Sequence, residues 1–425
     1  MGQTIAEKIL SRQNLQGEDA HAGDLIDCRL DGLMVHSNHW ASIRTLYRRL
    51  GFENGPPRVW DPDKFYLMME HVQPPRNVDG HRSNHDARRE AEELGLTHFY
   101  DTEMGICHQM MVDYGNVRPG EFVVGTDSHT LMYGGLNCVS TGIATDEAAY
   151  ALAFGELFFT VPESIKVNLV GKARSYPFGK DIILYLAGKY GNSFAQNKSL
   201  EFVGSAASAM PIADRLTLAD HTDEVGGKFG LFLADEKTEA FIRELTTLPF
   251  EPIAPDPDAR FLDEITVDCD ALSFQVARPY RFDNVSPVED VAGVRINEAR
   301  IGSCANGRYE DIAFAAEMLK GKTVAKGVRL YVSPASMTVY KRLAREGHLA
   351  TLLEAGAQVQ EPGCSICVDI LVNEEVCISS TTRNSHGRFG GSDCADAQIY
   401  LASPVTVAAA AIAGEIIDPR EVLHV

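Results

Sequence analysis

The sequence is short of basic residues. Against 59 Asp and Glu it carries 39 Lys and Arg, a formal net charge of −20 with histidine neutral. Proteins that bind nucleic-acid phosphates do so through a basic footprint, so this balance argues against that class of partner. No apolar run approaches the about 18 residues of a membrane-crossing helix. The longest, 405–414, is mostly alanine. No secretory leader is expected, because residues 1–13 include Glu7 and Lys8 and read as a short amphipathic helix. Position 6 is Ala6, where N-myristoylation requires Ser or Thr. Fixed-period repeats and low-complexity tracts are also missing. An odd number of cysteines, nine, without an export signal speaks for reduced thiols in a cytoplasmic protein. A specialised cysteine here is then a metal ligand or a catalytic group rather than half of a disulfide.

What is present is an alternation of short strands and helices, the pattern of α/β layers. Residues 121–124 form a strand stopped by Gly125, and 299–301 a strand stopped by Gly302. Tyr309, Ile312, Ala316 and Leu319 fall on one helix face, with Glu310 and Asp311 in the first turn, where the helix dipole favours acids. Further on come a strand at 328–332, helices to about Arg345 and over 348–354, and strands at 357–360 and 398–401. Ser403 and Pro404 then open a last helix, Ser as cap and Pro in the first turn. A strand at 165–170 follows a break near residue 160. The segment 249–260, with four prolines, reads as a linker. These breaks divide the chain into three α/β domains, 1–160, 161–265 and 266–425.

The unusual residues gather in loops after strands, where open α/β sheets bind ligands. One loop holds Asp127, Ser128 and His129; a second holds Cys304 and Arg308; a third Cys364 and Cys367; a fourth Arg383 and Arg388. A Cys-x-x-Cys can be a redox pair, half of a zinc site or two buried thiols. No second Cys or His pair follows at zinc-site spacing. With Cys304 there are three loop thiols, the number that holds an iron–sulfur cluster and leaves one iron without a protein ligand. Such an iron acts as a Lewis acid. Cys28, Cys107, Cys138, Cys269, Cys377 and Cys394 lie in apolar or strand-like contexts and read as packing. Asp127 and Ser128 alone would be read as helix caps, but His129 beside them adds an imidazole. The arginines suit bidentate carboxylate binding or ordinary ion pairs.

Taken together these loops resemble the aconitase superfamily, and within it the large subunits of 3-isopropylmalate dehydratase and related two-subunit hydro-lyases. The resemblance runs from Gly2–Leu10 to the helix after Ser403. Its most specific pieces are 125–130, 302–308 and the Cys364/Cys367 pair, 60 residues beyond Cys304. It implies three α/β domains around a 4Fe–4S cluster held by Cys304, Cys364 and Cys367. It implies catalytic roles for Asp127, His129, His108, His71, Glu70 and Glu224. It implies a grip on substrate carboxylates by Arg383 and Arg388, with Ser128 and Arg308 as further substrate contacts. The reaction implied is dehydration and rehydration of a 2-hydroxy di- or tricarboxylate, as in the isopropylmalate step of leucine biosynthesis. Close alternatives are 2-methylmalate, 2,3-dimethylmalate and homoaconitate.

The family's base is a serine in Gly-Ser-Ser-Arg-Glu. The nearest matches here, at Gly204-Ser205 and Gly391-Ser392, lack the Ser-Arg-Glu. A separate small subunit is therefore expected to supply it, in a heterodimer. Three positions depart from the family pattern: Glu70 for Asp before His71, Ala219-Asp220 for Cys-Asn, and Thr382 for Asn before Arg383. Two other readings are an RNA-binding apo form, which the −20 charge opposes, and a closed electron-transfer cluster, for which Cys394 is the nearest fourth ligand in sequence.

Overall fold

The computed structural model describes residues 2–50, 59–71, 75, 77–102, 104–367 and 371–423. Met1 and Val425, the outer limits of the expected domains, lie outside the described residues. The first helix, Ile5–Gln13, is capped as its sequence requires: Thr4 accepts from the Glu7 amide, and the Glu7 carboxylate accepts from the Thr4 amide.

A two-stranded antiparallel ribbon joins β1 (Leu25–Arg29) to a later strand, β7 (Glu156–Thr160). Between them β2 (Gly32–His36), β3 (Phe65–Met68), β4 (His98–Tyr100), β5 (Phe122–Gly125) and β6 (Val139–Gly142) form a parallel sheet of order β4-β3-β2-β5-β6. The residues of β2, β3 and β5 are buried throughout. That explains why these strands read as unbroken apolar runs rather than alternating ones. The second sheet is also parallel: β8 (Ser164–Val170), β9 (Ser199–Val203), β10 (Phe229–Phe232) and β11 (Asp263–Asp268), in the order β10-β9-β8-β11.

The third sheet has seven strands: β12 (Gln275–Ala277), β13 (Val285–Pro287), β14 (Glu298–Gly302), β15 (Arg329–Ser333), β16 (Gln358–Val359), β17 (Val376–Ser379) and β18 (Gln398–Leu401). Their order is β13-β12-β18-β17-β14-β15-β16, and only β12 runs antiparallel to its neighbours. The helix Tyr309–Leu319 packs on this sheet through Ile312, Ala316 and Leu319, all buried. Burial contributes about 1.5–3 kcal/mol for each of the two large side chains. The architecture is α/β, with sheets covered by helices.

Two local features differ from the sequence reading. Ser403 stands at the cap position of Pro404–Ala413, but its hydroxyl meets that of Thr406 rather than a backbone amide. The proline-rich segment 249–260 is strapped down: the Asn137 side chain accepts from the Ile253 amide at 2.7 Å and donates to its carbonyl at 3.0 Å. Ile253 thereby joins Phe229 and Leu231 in the core of the first sheet. No helix among the described residues is long and apolar enough to cross a membrane.

The loop after β5 is a 3₁₀ stretch, Ser128–Leu136, longer than the three or four residues usual for that geometry. It is wedged against β10 and the helix Ile212–Asp220. A Cβ on Gly134 would stand 2.0 Å from the Gly230 carbonyl oxygen. Gly134→Ala is therefore expected to cost at least about 1–3 kcal/mol of stability by overpacking. Chemical denaturation should show a lowered midpoint with an unchanged slope.

Candidate active site

The first sheet changes direction between β2 and β5, and crevices at such switch points bind ligands in α/β folds. His36 ends β2, Glu70 and His71 follow β3, and Asp127 follows β5. The His36 amide donates to the Thr126 hydroxyl at 3.2 Å, which ties the two strand ends together.

Asp127 is the centre of the arrangement. As a helix-capping aspartate would, it accepts the His129 amide, at 2.9 Å. The same carboxylate also meets three imidazoles: His108 Nε2 at 2.8 Å, His71 Nε2 at 3.2 Å and His129 Nδ1 at 3.6 Å. Burial alone would raise its pKa, but the bonds and charge of His108, then of His129 and His71, hold it well below the usual carboxylate range.

His71 is also bonded through Nδ1 to Glu70, a buried carboxylate held below its ordinary range by that imidazole in spite of burial. The longer Glu at this position does reach the histidine. His71 has a φ of 78°, a left-handed conformation that costs a non-glycine residue about 1–3 kcal/mol and persists where surroundings enforce it. On the other side, His129 Nε2 lies 3.2 Å from Glu224. Burial would lower the His129 pKa, yet Asp220, Asp127 and Glu224 raise it well above the ordinary value.

Arg383 closes the ring. Its Nε is 2.6 Å from Glu224, and its terminal nitrogen bonds Asp223 and, at 3.0 Å, the Ser128 hydroxyl. Its side chain stays 34% exposed, so the guanidinium faces an opening. Arg388 is half-buried, and its buried Nε has no hydrogen-bond partner among the described residues.

Arg308 has a different place from the one expected of a substrate contact. It is 3% exposed, and it donates to the carbonyls of Cys304 and Ala305, both at 2.7 Å, and to Thr217 at 3.0 Å. It braces the Cys304 loop from behind.

The cysteines occupy two neighbouring turns. Cys304 sits in the short helix Ser303–Asn306 directly after β14, behind Ser303 at φ 75°. Cys364 and Cys367 share the single turn 364–367. The Ser333 hydroxyl donates to the Gly363 carbonyl at 3.3 Å, and Arg300 donates to the Ile366 carbonyl at 2.9 Å. No disulfide joins the cysteines. The Cys364 thiol hydrogen-bonds Cys367 and holds it below the ordinary thiol range in spite of burial, with Arg388, His129 and Arg300 adding to the effect.

Three cysteine thiols in two neighbouring turns are the donor set of an iron–sulfur cluster with one iron left without a protein ligand. Among the described residues, the sets of ligand atoms within 4.8 Å of one another are His36/Glu70/His71 and His129/Asp223/Glu224, and neither contains a cysteine. The space beside Cys304 is also faced by Asp220, a buried carboxylate within hydrogen-bonding reach of the Cys304 thiol.

The structure therefore brings together Glu70, His71, His108, Asp127, Ser128, His129, Glu224 and Arg383, with the three cysteines alongside. Sequence reasoning missed His36, stacked on His71 at 4.2 Å, although its position at the end of β2 was a signal. It also missed Asp223 and the buried Lys180, for which a single sequence holds no signal.

His71 is pushed up to about 11 by Glu70 and Asp127, against the opposing effect of burial. A folded-state value above the ordinary 6.5 means that its stabilising contribution is complete below about pH 6.5 and lost as pH rises toward 11. Ring NMR should show His71 charged through pH 8, and Glu70→Gln should move its titration down toward 6.5.

The profile of the Aconitase family (aconitate hydratase) matches residues 75–414. The chain is 41% identical to the "3-isopropylmalate dehydratase large subunit 1" of Methanopyrus kandleri over the full length of both. It is 38% identical to the protein of the same name from Archaeoglobus fulgidus, over 99% of this chain and 100% of that one. It is 39% identical to the "Probable methanogen homoaconitase large subunit" of Methanosarcina mazei, over 86% of this chain and 93% of that one. Among solved structures, aconitase X of Thermococcus kodakaraensis is similar over 89% of each chain, with a TM-score of 0.47 and 12% identity. With a family profile over most of its length and relatives of this identity end to end, the chain belongs to the aconitase family.

Proposed function

We propose that the chain is the large, cluster-bearing subunit of an aconitase-type hydro-lyase. It removes water from a 2-hydroxy di- or tricarboxylate and returns it at the neighbouring carbon. The observation that carries this reading is the set of three histidines on Asp127, opening toward Arg383. A 4Fe–4S cluster on Cys304, Cys364 and Cys367 would supply a Lewis-acidic iron that weakens the carbon–oxygen bond to be broken.

The chain's own residues do the rest. Arg383, held on Glu224 and Asp223, offers its remaining terminal nitrogen to one substrate carboxylate, and Arg388, whose buried Nε has no hydrogen-bond partner among the described residues, receives a second. Both offset the charge that builds up as the carbon–hydrogen bond breaks. His71 carries a proton at neutral pH and faces the opening, so it protonates the departing hydroxyl. Asp127 and Glu70 fix the ring and keep it charged, and His108 fixes Asp127 in turn. His129 and Glu224 form a second pair, which holds the water between its departure and return. Ser128 orients Arg383.

The residue that takes the carbon-bound proton comes from a separate small subunit. The relatives' designation as large subunits supports such a partner. By the same relatives the substrate is 3-isopropylmalate or a near homologue such as homoaconitate. The free thiols are in keeping with a reducing, cytoplasmic setting.

Cys364→Ser is expected to lose the visible absorption and most of the iron of the reconstituted chain; full retention of both would remove Cys364 from the cluster. Arg383→Lys should raise KM at least tenfold with the fold intact, because a point charge replaces the fork. The direct test of function is dehydration of isopropylmalate, methylmalate, dimethylmalate, citrate and homocitrate, with and without the small subunit. Turnover of one of them only by the pair is expected. Full activity of this chain alone would overturn the two-subunit reading.

A further inference from the structure

The turn that opens the helix Gly179–Tyr190 carries a lysine that no step above uses. Lys180 is 1% exposed. Its ammonium donates to the carbonyls of Ser380, at 2.7 Å, and Thr381. Those two residues link β17 to Arg383, so the lysine holds the short backbone segment from which the arginine springs.

The turn around it leaves little freedom. Asp214 accepts the amides of Phe178 at 3.0 Å and Gly179 at 2.9 Å, and Asp181 accepts the Gln275 amide at 2.7 Å. Hydrogen bonds thus fix the backbone on both sides of Lys180. Burial pushes its ammonium down to about 7, and the groups that draw it back up are Asp220, Cys367, Glu224 and Cys304. They are two site carboxylates and two of the three candidate cluster thiols. A buried ammonium without such company would be expelled or neutralised.

We infer that Lys180 is a positioning residue that aims Arg383 at the substrate carboxylate by tying the Ser380 and Thr381 carbonyls, while its charge offsets that of Asp220 and the cysteine thiolates. The inference rests on the function proposed above and adds to it a residue that does not touch substrate. It also gives Asp220 a counter-charge that the family's usual amide would not need.

The test uses the complete enzyme, this chain with its small subunit, and the acid it turns over best. Lys180→Met is expected to keep its iron and sulfide and to raise KM at least tenfold. In a double-mutant cycle with Arg383→Lys, the double variant should be no more than threefold worse than the poorer single, because the second change removes an aim already lost. EPR-monitored redox titration should show the cluster harder to reduce in Lys180→Met, where a positive charge beside it is gone. Lys180→Gln keeps a donor without the charge, so it should recover part of the KM and none of the potential; it replaces Lys180→Met if that variant fails to fold. Multiplicative KM effects, or unchanged KM and potential in a cluster-replete variant, would overturn the inference and leave the function standing. A wild-type enzyme that binds no iron and turns over none of the acids would overturn both.

Discussion

Asp127 has one carboxylate and three imidazoles to satisfy, and the rest of the site is arranged around that demand. An isolated buried carboxylate would pick up a proton, whereas this one is kept charged by His108, His129 and His71. It can do so only if β2, β3 and β5 end at the same level, since His71 comes from the end of β3 and Asp127 from the end of β5. The parallel register of the first sheet sets that level, and Gly134 and Gly135 let the 3₁₀ stretch carrying His129 lie flat against β10 and its neighbouring helix. Charge on Asp127, the tilt of His71 and the packing of two glycines are thus one constraint seen at three scales.

Electrostatics shape the site against the grain of the whole molecule. A chain of net charge −20 repels the anionic acids it is proposed to bind. Around the cleft Arg383, Arg388 and the raised imidazoles of His71 and His129 gather positive charge beside Glu70, Asp127, Asp223 and Glu224. Such focusing raises the local concentration of an anion and orients it.

Much of the local structure was legible in the chain. The helix Tyr309–Leu319 and the strand Gln398–Leu401 coincide with their sequence expectations, because apolar spacing and terminating glycine or acid signals are local. The rule that chemistry sits after strands located Asp127, Cys304 and Arg383, and it would have located His36 as well. What could not be read depends on how distant parts of the chain meet in space. Arg308 looks like a free loop cation in sequence, yet it is spent on the carbonyls of its own loop and on Thr217. Lys180 looks like a surface residue opening an amphipathic helix, and its burial follows only from the meeting of that helix with the end of β17. The segment 249–260 has linker composition, but Asn137 pins it.

The account makes one claim on which the others depend, that three cysteines hold a cluster with one iron open to substrate. Mössbauer spectroscopy of the chain reconstituted with iron-57, in the presence of its small subunit, tests it most directly. Four irons per chain are predicted, one of which alone changes its isomer shift and quadrupole splitting when the turned-over acid is added. A chain without a cluster, or a cluster whose four irons are all unmoved by that acid, would contradict it.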